Sequence, residues 1–436
     1  MPDERPGGVR ASWSLLRRNR EFRHLYLASL ISLGGDWFLL VALFGLVLRY
    51  TQSPIAVALT LASQDLTYFA VSPLAGILAD RLDRRKLMVG ADLARAVLCV
   101  GFLVVHSASF VWIAYPLLAT MACFSAAFEP ASAAALPNLV DAKDLATANA
   151  LAGSLWGTML AIGAALGGIV SAALGSNAAI VIDALSFVGS ALLIVGIRRS
   201  FSEVGTGIQH ERLRDAAAEA VRYTRRDHRV LALVAVKFGW GLAGGVLVLI
   251  PILATRTFHA GDVGIGLLLA ARGLGALIGP FVGRNLLGPK DRRLFLMIGI
   301  ALAVFGIGYI TLGLVPTLIL ALPAVALAHV GGGAQWMLST YGLQKIVPDR
   351  IRGRIFAFDG MLVTLTFGLS SLLTGWLAGA VGPDATAIAL GAVAVVWAGS
   401  WIWLTTDVRR ATLLEGCGGP PAEDYVTSLP EVVPTD

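Results

Sequence analysis

Residues 76–96 read GILADRLDRRKLMVGADLARA, and residues 279–299 read GPFVGRNLLGPKDRRLFLMIG. In each, a Gly closes an apolar run, a basic turn follows, and a basic cluster opens the next apolar run. The offset is 203 residues in a chain of 436. A second pair, EPASAAALPNLV at 129–140 and WMLSTYGLQKIV at 336–347, repeats at an offset of 207, each copy just before a charged turn. Repetition at about half the chain length implies two like halves, each made of the same succession of elements.

The apolar runs flanking these turns set the fold class. Crossing the hydrocarbon core takes about 20 apolar residues in helical form. Runs of that kind lie at about 24–48, 54–79, 87–106, 109–135, 146–173 and 177–197, then at about 230–255, 262–287, 294–313, 316–342, 354–381 and 384–406. Only 14% of the residues are charged and 56% are hydrophobic, against roughly 25% charged in an average soluble domain. Too little polar surface remains to cover a soluble protein of this size. The sequence therefore predicts an all-α membrane protein of twelve transmembrane helices in two six-helix bundles. Small residues such as Gly163, Gly167, Gly168, Gly273, Gly275 and Gly279 let helices approach closely where lipid offers no hydrophobic drive for their association.

Loop charge sets the expected orientation. With the N-terminus in the cytoplasm, the cytoplasmic loops carry Arg81, Arg84, Arg85, Lys86, Lys143, Arg284, Lys290, Arg292, Arg293, Lys345, Arg350, Arg352 and Arg354, while the opposite loops carry Arg49 and Arg256. Excess Lys and Arg marks the cytoplasmic side, so both termini are expected there, in a multi-pass protein of a bacterial inner membrane. The net charge of +6 is a loop property and does not point to nucleic acid. Arg17, Arg18, Arg20 and Arg23 precede the first run with no small-residue cleavage site after it, as in a retained first span.

The chain divides into a cytoplasmic segment 1–23, a first bundle 24–197, a linker 198–229, a second bundle 230–406 and a Gly-, Pro- and acid-rich tail 407–436 expected to be disordered. In the linker, Leu213, Ala217, Ala220 and Val221 recur at helical spacing. That pattern fits an amphipathic helix at the membrane interface or a solvated connecting helix. Cys99, Cys123 and Cys417 have no metal-ligand spacing, and neither a metal nor a cofactor is expected.

Gly76-Ile-Leu-Ala-Asp80-Arg81-Leu-Asp83-Arg84-Arg85 resembles the signature loop of the major facilitator superfamily, with Asp83 where that pattern has Gly. The second copy keeps Gly279 and Arg284 and has Gly283 in place of the acid. SLGGDWF (33–38 with its preceding Ser32), FEPASAAALPNLV (128–140), IDALSFVGSALL (182–193) and QKIVPDRIRGRIFAF (344–358) are similar to the branch of macrolide-efflux and enterobactin exporters. The resemblance covers spans one to twelve. It implies alternating access around a central cavity, export of an amphipathic small molecule and drive by the proton gradient. Gly163-Ala-Ala-Leu-Gly167-Gly168 matches the glycines, without the Pro, of a stretch found in antiporters of the superfamily. The resemblance also implies that Gly76, Asp80, Arg81, Arg84 and Arg85 form a conformational lock, with Asp80 meeting the start of span eleven.

Ionisable groups inside a span are costly and mark function unless paired. Asp36, Asp65, Arg272 and His329 fall near the middle of their spans, and are candidates for proton coupling or substrate binding. Asp36 follows Gly34 and Gly35 on span one, where a carboxyl can bind a proton or a cationic substrate but not both. The structural alternative is a cap for backbone freed by the glycine pair. Arg272 cannot carry protons and is expected as counter-ion to Asp36 or Asp65, or as a clamp for an anion. His329 could titrate near neutrality or be satisfied by its neighbours. Asp92 and Arg95 share a helix face at a spacing of three, and with Glu129 they suggest a gating or bundle-locking ion pair. Trp37 is the aromatic expected to line the cavity.

No GxxxxGK[ST] loop and no nucleophile–base pair occurs in the sequence, so an enzyme is not expected. The expected partners are a small-molecule substrate, protons and membrane lipid, with the protein a monomer. An uptake symporter or a lysophospholipid transporter on the same fold is the nearest alternative, and a non-transporting scaffold or receptor a more distant one.

Overall fold

The computed structural model describes residues 9–199, 201, 213–287 and 293–409. Among them every element is helical, and twelve helices are long and apolar enough to cross a membrane. They are Arg20–Thr51, Pro54–Arg81, Arg84–Gly101, Ala114–Leu139, Leu145–Leu174 and Ser176–Val195, then His228–Thr257, Gly261–Leu286, Leu294–Leu314, Leu318–Ile346, Asp349–Val381 and Pro383–Leu404, numbered below as spans one to twelve. An even number of crossings puts both ends of the chain and the linker on one face, called here the terminal face. The opposite one is the far face.

Most boundaries lie where apolar runs meet turn chemistry. Span three begins at Arg84, earlier than hydropathy predicts, because Asp83 accepts a hydrogen bond from the Lys86 amide at 2.9 Å and caps the helix. An acid at a helix start satisfies a free amide and favours the positive end of the dipole. This accounts for Asp83 at the Gly position of the loop pattern. Span three leaves α-geometry at Gly101, and span four enters through a 3₁₀ segment, Ala108–Ile113, so the expected helices at 87–106 and 109–135 are shifted along the chain.

Span seven changes geometry within the membrane. Its α-helix stops at Gly244, a 3₁₀ turn covers Gly245–Val248, and a π-turn covers Leu253–Thr257. The cause is span eleven. The Gly245 amide donates to the Ser370 hydroxyl at 3.1 Å, and the Ser370 hydroxyl donates to the Leu242 carbonyl. Side chains at Gly241 and Gly244 would meet Thr366 and Phe367. A 3₁₀ stretch inside a helix often marks a hinge.

In the first bundle span one packs on five and six, span three on six and four, and span two on four; in the second, span ten packs on eight and nine, span nine on twelve and span seven on eleven. The bundles meet at two crossings, five on eight and two on eleven. Both are built on small residues. A side chain at Gly168 or Gly266 would strike the other helix's backbone, and one at Gly273 would run into the Ala161 backbone. On the other crossing, Gly368 faces Leu66, and Gly375 faces Ile55 and Ala58. Van der Waals fit between small residues is the main attraction left in lipid.

The linker helix, Leu213–Arg226, packs on spans seven and eleven. Ala220 and Thr224 are buried, and Glu219 pairs with Arg354 of span eleven. It is thus docked on the second bundle, a placement neither expected alternative had included. The tail from residue 410, the linker residues 202–212 and the turn 288–292, with Lys290 and Arg292, lie outside the described residues.

Gly273→Val should weaken the five–eight crossing by about 1–3 kcal/mol through overpacking, while Gly399→Val, where a side chain meets nothing within 4 Å, should leave stability unchanged. Thermal unfolding of the purified variants in detergent checks this; equal melting of the two would contradict the packing argument.

Candidate functional site

The middle of the first bundle contains a cavity of about 380 Å³. Its wall comes from span one (Leu33, Asp36, Trp37, Leu40), span two (Gln64, Asp65, Tyr68), span four (Met121, Ser125, Glu129), Trp156 of span five and Thr364 of span eleven. Among the described residues three carboxylates line it and no Arg, Lys or His does.

Asp36 reaches this position through the glycines before it. A side chain at Gly35 would overlap the Asp183 carboxylate and Ser186, and one at Gly163 would press on Gly34. The pair therefore admits spans five and six against span one, and the helix runs through it unbroken from Arg20 to Thr51. No backbone is freed there for Asp36 to cap.

The counter-charge to Asp36 is Arg95, at 3.8 Å, and not Arg272. Arg95 is only 3% exposed. It forms a hydrogen-bonded ion pair with Asp92, as their spacing predicts, and donates at 3.4 Å to Ser125 and to Ser32. Its guanidinium stacks 4.4 Å from the centre of the Phe187 ring and 4.9 Å from that of Phe128. Asp183, wholly buried, accepts from Cys99 at 3.3 Å and from Ser186 at 3.2 Å, close enough to Asp36 for their charges to interact. One guanidinium thus serves a group of carboxylates that outnumbers it. Two neighbouring ionised acids in a low dielectric repel strongly, so the group can hold protons.

Glu129 does not join the Arg95 ion pair. Its carboxylate accepts from the Tyr68 hydroxyl at 2.6 Å across spans two and four. Asp65 lines the cavity and, among the described residues, has neither a hydrogen bond nor an ion pair. It interacts electrostatically with Arg272 without closing a contact. Arg272 lies over the Trp37 and Trp156 rings, 5.6 and 5.4 Å from their centres, and those rings meet edge to face at 6.0 Å. His329 is buried in the second bundle, 2.7 Å from the Tyr309 hydroxyl and against Phe305, and does not line the cavity. Trp37 does.

Arg84 donates to the Ala134 and Phe201 carbonyls, each at 3.1 Å, and Arg85 donates to the Val195 carbonyl. Arg84 thus ties span three to span four and to the start of the linker, and Arg85 ties it to the end of span six. Gly76, Asp80 and Arg81 fall on the last turns of span two; their side chains lie outside the described residues.

Two groupings were not anticipated. Lys237 and Asp359, both almost fully buried, form an ion pair between spans seven and eleven, with Lys237 also donating to Thr340 at 3.1 Å and lying 4.6 Å from the Trp336 ring centre. At the far face Asp262 of span eight accepts from Ser171 of span five at 2.8 Å and lies 3.9 Å from Arg49 of span one. Arg256 donates to the Gln52 carbonyl beside it. A side chain at Gly45 would overlap the Asp262 carboxylate. These contacts join the two bundles at that face. The clue in the sequence was the Gly at 45 inside an otherwise bulky run.

The chain has known relatives. The family model described as transmembrane secretion effector, within the major facilitator superfamily, matches residues 10–414. Macrolide efflux protein A of Streptococcus pyogenes is 24% identical over 374 residues, covering 83% of this chain and 90% of that protein. The enterobactin exporter of Citrobacter koseri is 27% identical over 401 residues, covering 84% and 90%. Among solved structures, a bacterial homologue of the human lysosomal transporter Spinster, inward-facing and unoccupied, aligns with a TM-score of 0.74 at 14% identity over 92% of this chain and 98% of that one. A POT family transporter in complex with 5-aminolevulinic acid gives a TM-score of 0.74 at 12% identity, over 90% and 97%. At these identities the structures establish the fold alone.

Arg95→Gln leaves Asp92 buried without its charge partner and should destabilise the protein by about 3–5 kcal/mol. Asp36→Asn removes only the longer, half-exposed pair and should shift stability by less than about 1 kcal/mol. Unfolding of the two variants in detergent decides this, and equal losses would contradict the ranking of the two pairs.

Proposed function

The chain belongs to the transmembrane secretion effector family of the major facilitator superfamily, and from that membership we propose that it is a proton-coupled exporter of amphipathic small molecules. It is a multi-pass membrane protein with a small-molecule substrate, and no enzyme. In the proposed reading it works in a bacterial cell membrane with the terminal face, rich in Arg and Lys, toward the cytoplasm. The far face then faces outward. Its closure through Asp262, Ser171, Arg49 and Arg256 fits an inward-facing state like that of the Spinster homologue.

The observation that carries the coupling is the acid excess around Arg95. Asp36 is the member of that group that is both on the cavity wall and only loosely held, at 35% exposure and 3.8 Å from its counter-charge. A substrate entering from the cytoplasm displaces the proton on the cavity acids, and a proton entering from outside displaces the substrate. Because the site cannot hold both, the inward flow of protons drives the outward flow of substrate. The far-face contacts open as the bundles rock about the small-residue crossings, with the 3₁₀ turn of span seven as one place of bending. In the outward state the loop of Gly76, Asp80, Arg81, Arg84 and Arg85 holds the cytoplasmic ends together, Asp80 meeting the positive end of span eleven. Arg272 braces the aromatic wall in this scheme, His329 packs within the second bundle, and Asp92, Arg95 and Glu129 fix the acids in place.

Proteoliposomes with an imposed pH gradient test the proposal, with a macrolide and enterobactin, the cargoes of the named relatives, as first compounds. Wild type should accelerate movement opposite to the proton flow, and Asp36→Asn should lose the acceleration while keeping the slow exchange without a gradient. Movement with the proton flow would favour uptake instead, and equal, gradient-blind rates in both proteins would remove Asp36 from coupling.

A further inference from the structure

Before span one stands a ten-residue helix, Val9–Arg18, for which the transport scheme has no task. It is fixed in place. The chain breaks at Asn19, whose extended backbone caps span one and whose amide donates to the Leu139 carbonyl of span four at 2.8 Å. Arg23 of span one reaches back to the Leu16 and Arg17 carbonyls at 3.3 and 3.4 Å, where the negative end of a helix attracts a cation. Arg18 pairs with Asp144 just before span five. Leu15, 1% exposed, shares an apolar core with Phe22, Leu139 and Ile197. The outward face of this helix is Arg10, Trp13, Ser14 and Arg17, all exposed, at the spacing of one helical stripe. With Arg18 they line an open hollow of about 490 Å³. The Arg17 guanidinium lies 4.9 Å from the centre of the Trp13 ring, and Trp13 is 58% exposed. Neither Arg10 nor Arg17 has an acidic partner among the described residues.

Span one starts at Arg20, directly after the Asn19 break, so the stripe lies beside the membrane boundary. At headgroup level a Trp ring finds the mixed apolar and polar layer that it favours. Guanidinium groups bind phosphate through paired hydrogen bonds, and one already stacked on a ring loses less freedom in doing so. Arg10 and Arg17 stand about 10 Å apart along the helix axis at 1.5 Å per residue, with the Ser14 hydroxyl between them. We propose that this stripe binds the headgroup phosphate of an anionic phospholipid, with Arg10, Ser14 and Arg17 around the phosphate and Trp13 seated in the boundary layer beside it. The occupant is a lipid because the stripe joins phosphate-binding cations to an exposed indole at the edge of a span. The proposal goes beyond the transport reading and needs only the twelve spans. In the proposed orientation the leaflet is the cytoplasmic one, whose surface is negative. Since the helix is tied to Leu139 and Asp144, a lipid held there steadies the turn between spans four and five.

Native mass spectrometry of the full-length protein, titrated in neutral detergent with phosphatidylglycerol or with phosphatidylcholine of the same chains, measures the affinity for each lipid. Wild type should prefer phosphatidylglycerol by about tenfold or more. The double variant Arg10→Gln, Arg17→Gln should lose that preference, and Arg10→Lys, Arg17→Lys, which keeps the charge without the fork or the stacking, should fall between the two. Arg225→Gln, Arg226→Gln removes two exposed cations from the linker helix. It should stay within about threefold of wild type, because those two have no part in the stripe. Trp13→Ala should weaken binding by about two- to fivefold. Phosphatidylglycerol brominated near the headgroup end of its chains should quench the tryptophan fluorescence of wild type more than that of Trp13→Phe. Equal affinity for the two lipids, an unchanged preference in the Arg10 and Arg17 glutamine variant, an equal loss in the Arg225 and Arg226 variant, or quenching blind to Trp13 would each overturn the proposal. Displacement of the lipid by inorganic phosphate would make the stripe a site for free anions instead, and would overturn it too. None of these readouts involves a gradient, so the lipid site and the proton coupling fail separately.

Discussion

Arg95 holds its charge inside the first bundle, 3% exposed, with Asp92 hydrogen-bonded to one side, Asp36 at 3.8 Å on another, and the Phe128 and Phe187 rings against its faces. An ion in that position is tolerable only when paired and hydrogen-bonded. The pairing draws spans one, three, four and six together, through Ser32, Arg95 itself, Ser125 and Phe187. It also leaves a remainder. Asp183 packs beside Asp36 and, among the described residues, takes its hydrogen bonds from Cys99 and Ser186, so the group has more acids than its one base can neutralise. In the proposed reading protons settle that imbalance.

The second constraint is distance between helices. Gly168 against Gly266, Gly273 against Ala161 and Gly45 against Asp262 bring the two bundles into contact at the far face and through the middle, without deep interlocking of large side chains. Backbone-to-backbone contacts of this kind part without side chains having to disengage, which suits surfaces that must separate and rejoin. The bundles themselves are held differently. The buried Lys237–Asp359 pair fastens span seven to span eleven, and the Tyr309–His329 contact sits within the second bundle. Rigid halves joined by shallow crossings are what rocking requires.

Much of this was legible in the sequence, and the parts that were not share a cause. Twelve spans could be read because each is a local property, a run of about 20 apolar residues. The Asp92–Arg95 pair was legible because three residues make one helical face. The contact of Asp36 with Arg95 was not, since 59 positions and two turns of the fold separate them, and hydropathy carries no information about which face of a helix meets which neighbour. Arg272, placed by depth beside the acids, lies on the tryptophans and acts on Asp65 without closing a contact. Asp262 went unnoticed because it stands at a span end, where an acid is ordinary. Asp83 was unassignable until the start of span three revealed it as a cap.

The central claim is that proton occupancy of the Arg95-centred acids decides which face of the protein is open. Electron-spin distance measurements in lipid nanodiscs test it most directly, with one label pair across the far face at Gln52 and His259 and another across the terminal face at Lys143 and Thr406, followed over roughly pH 5 to 9 to bracket carboxylate titration in buried sites. The account predicts that the two distances move in opposite senses with pH in the wild type, and that Asp36→Asn abolishes or displaces the transition. Distances that ignore pH in the wild type, or a transition untouched by Asp36→Asn, would contradict it.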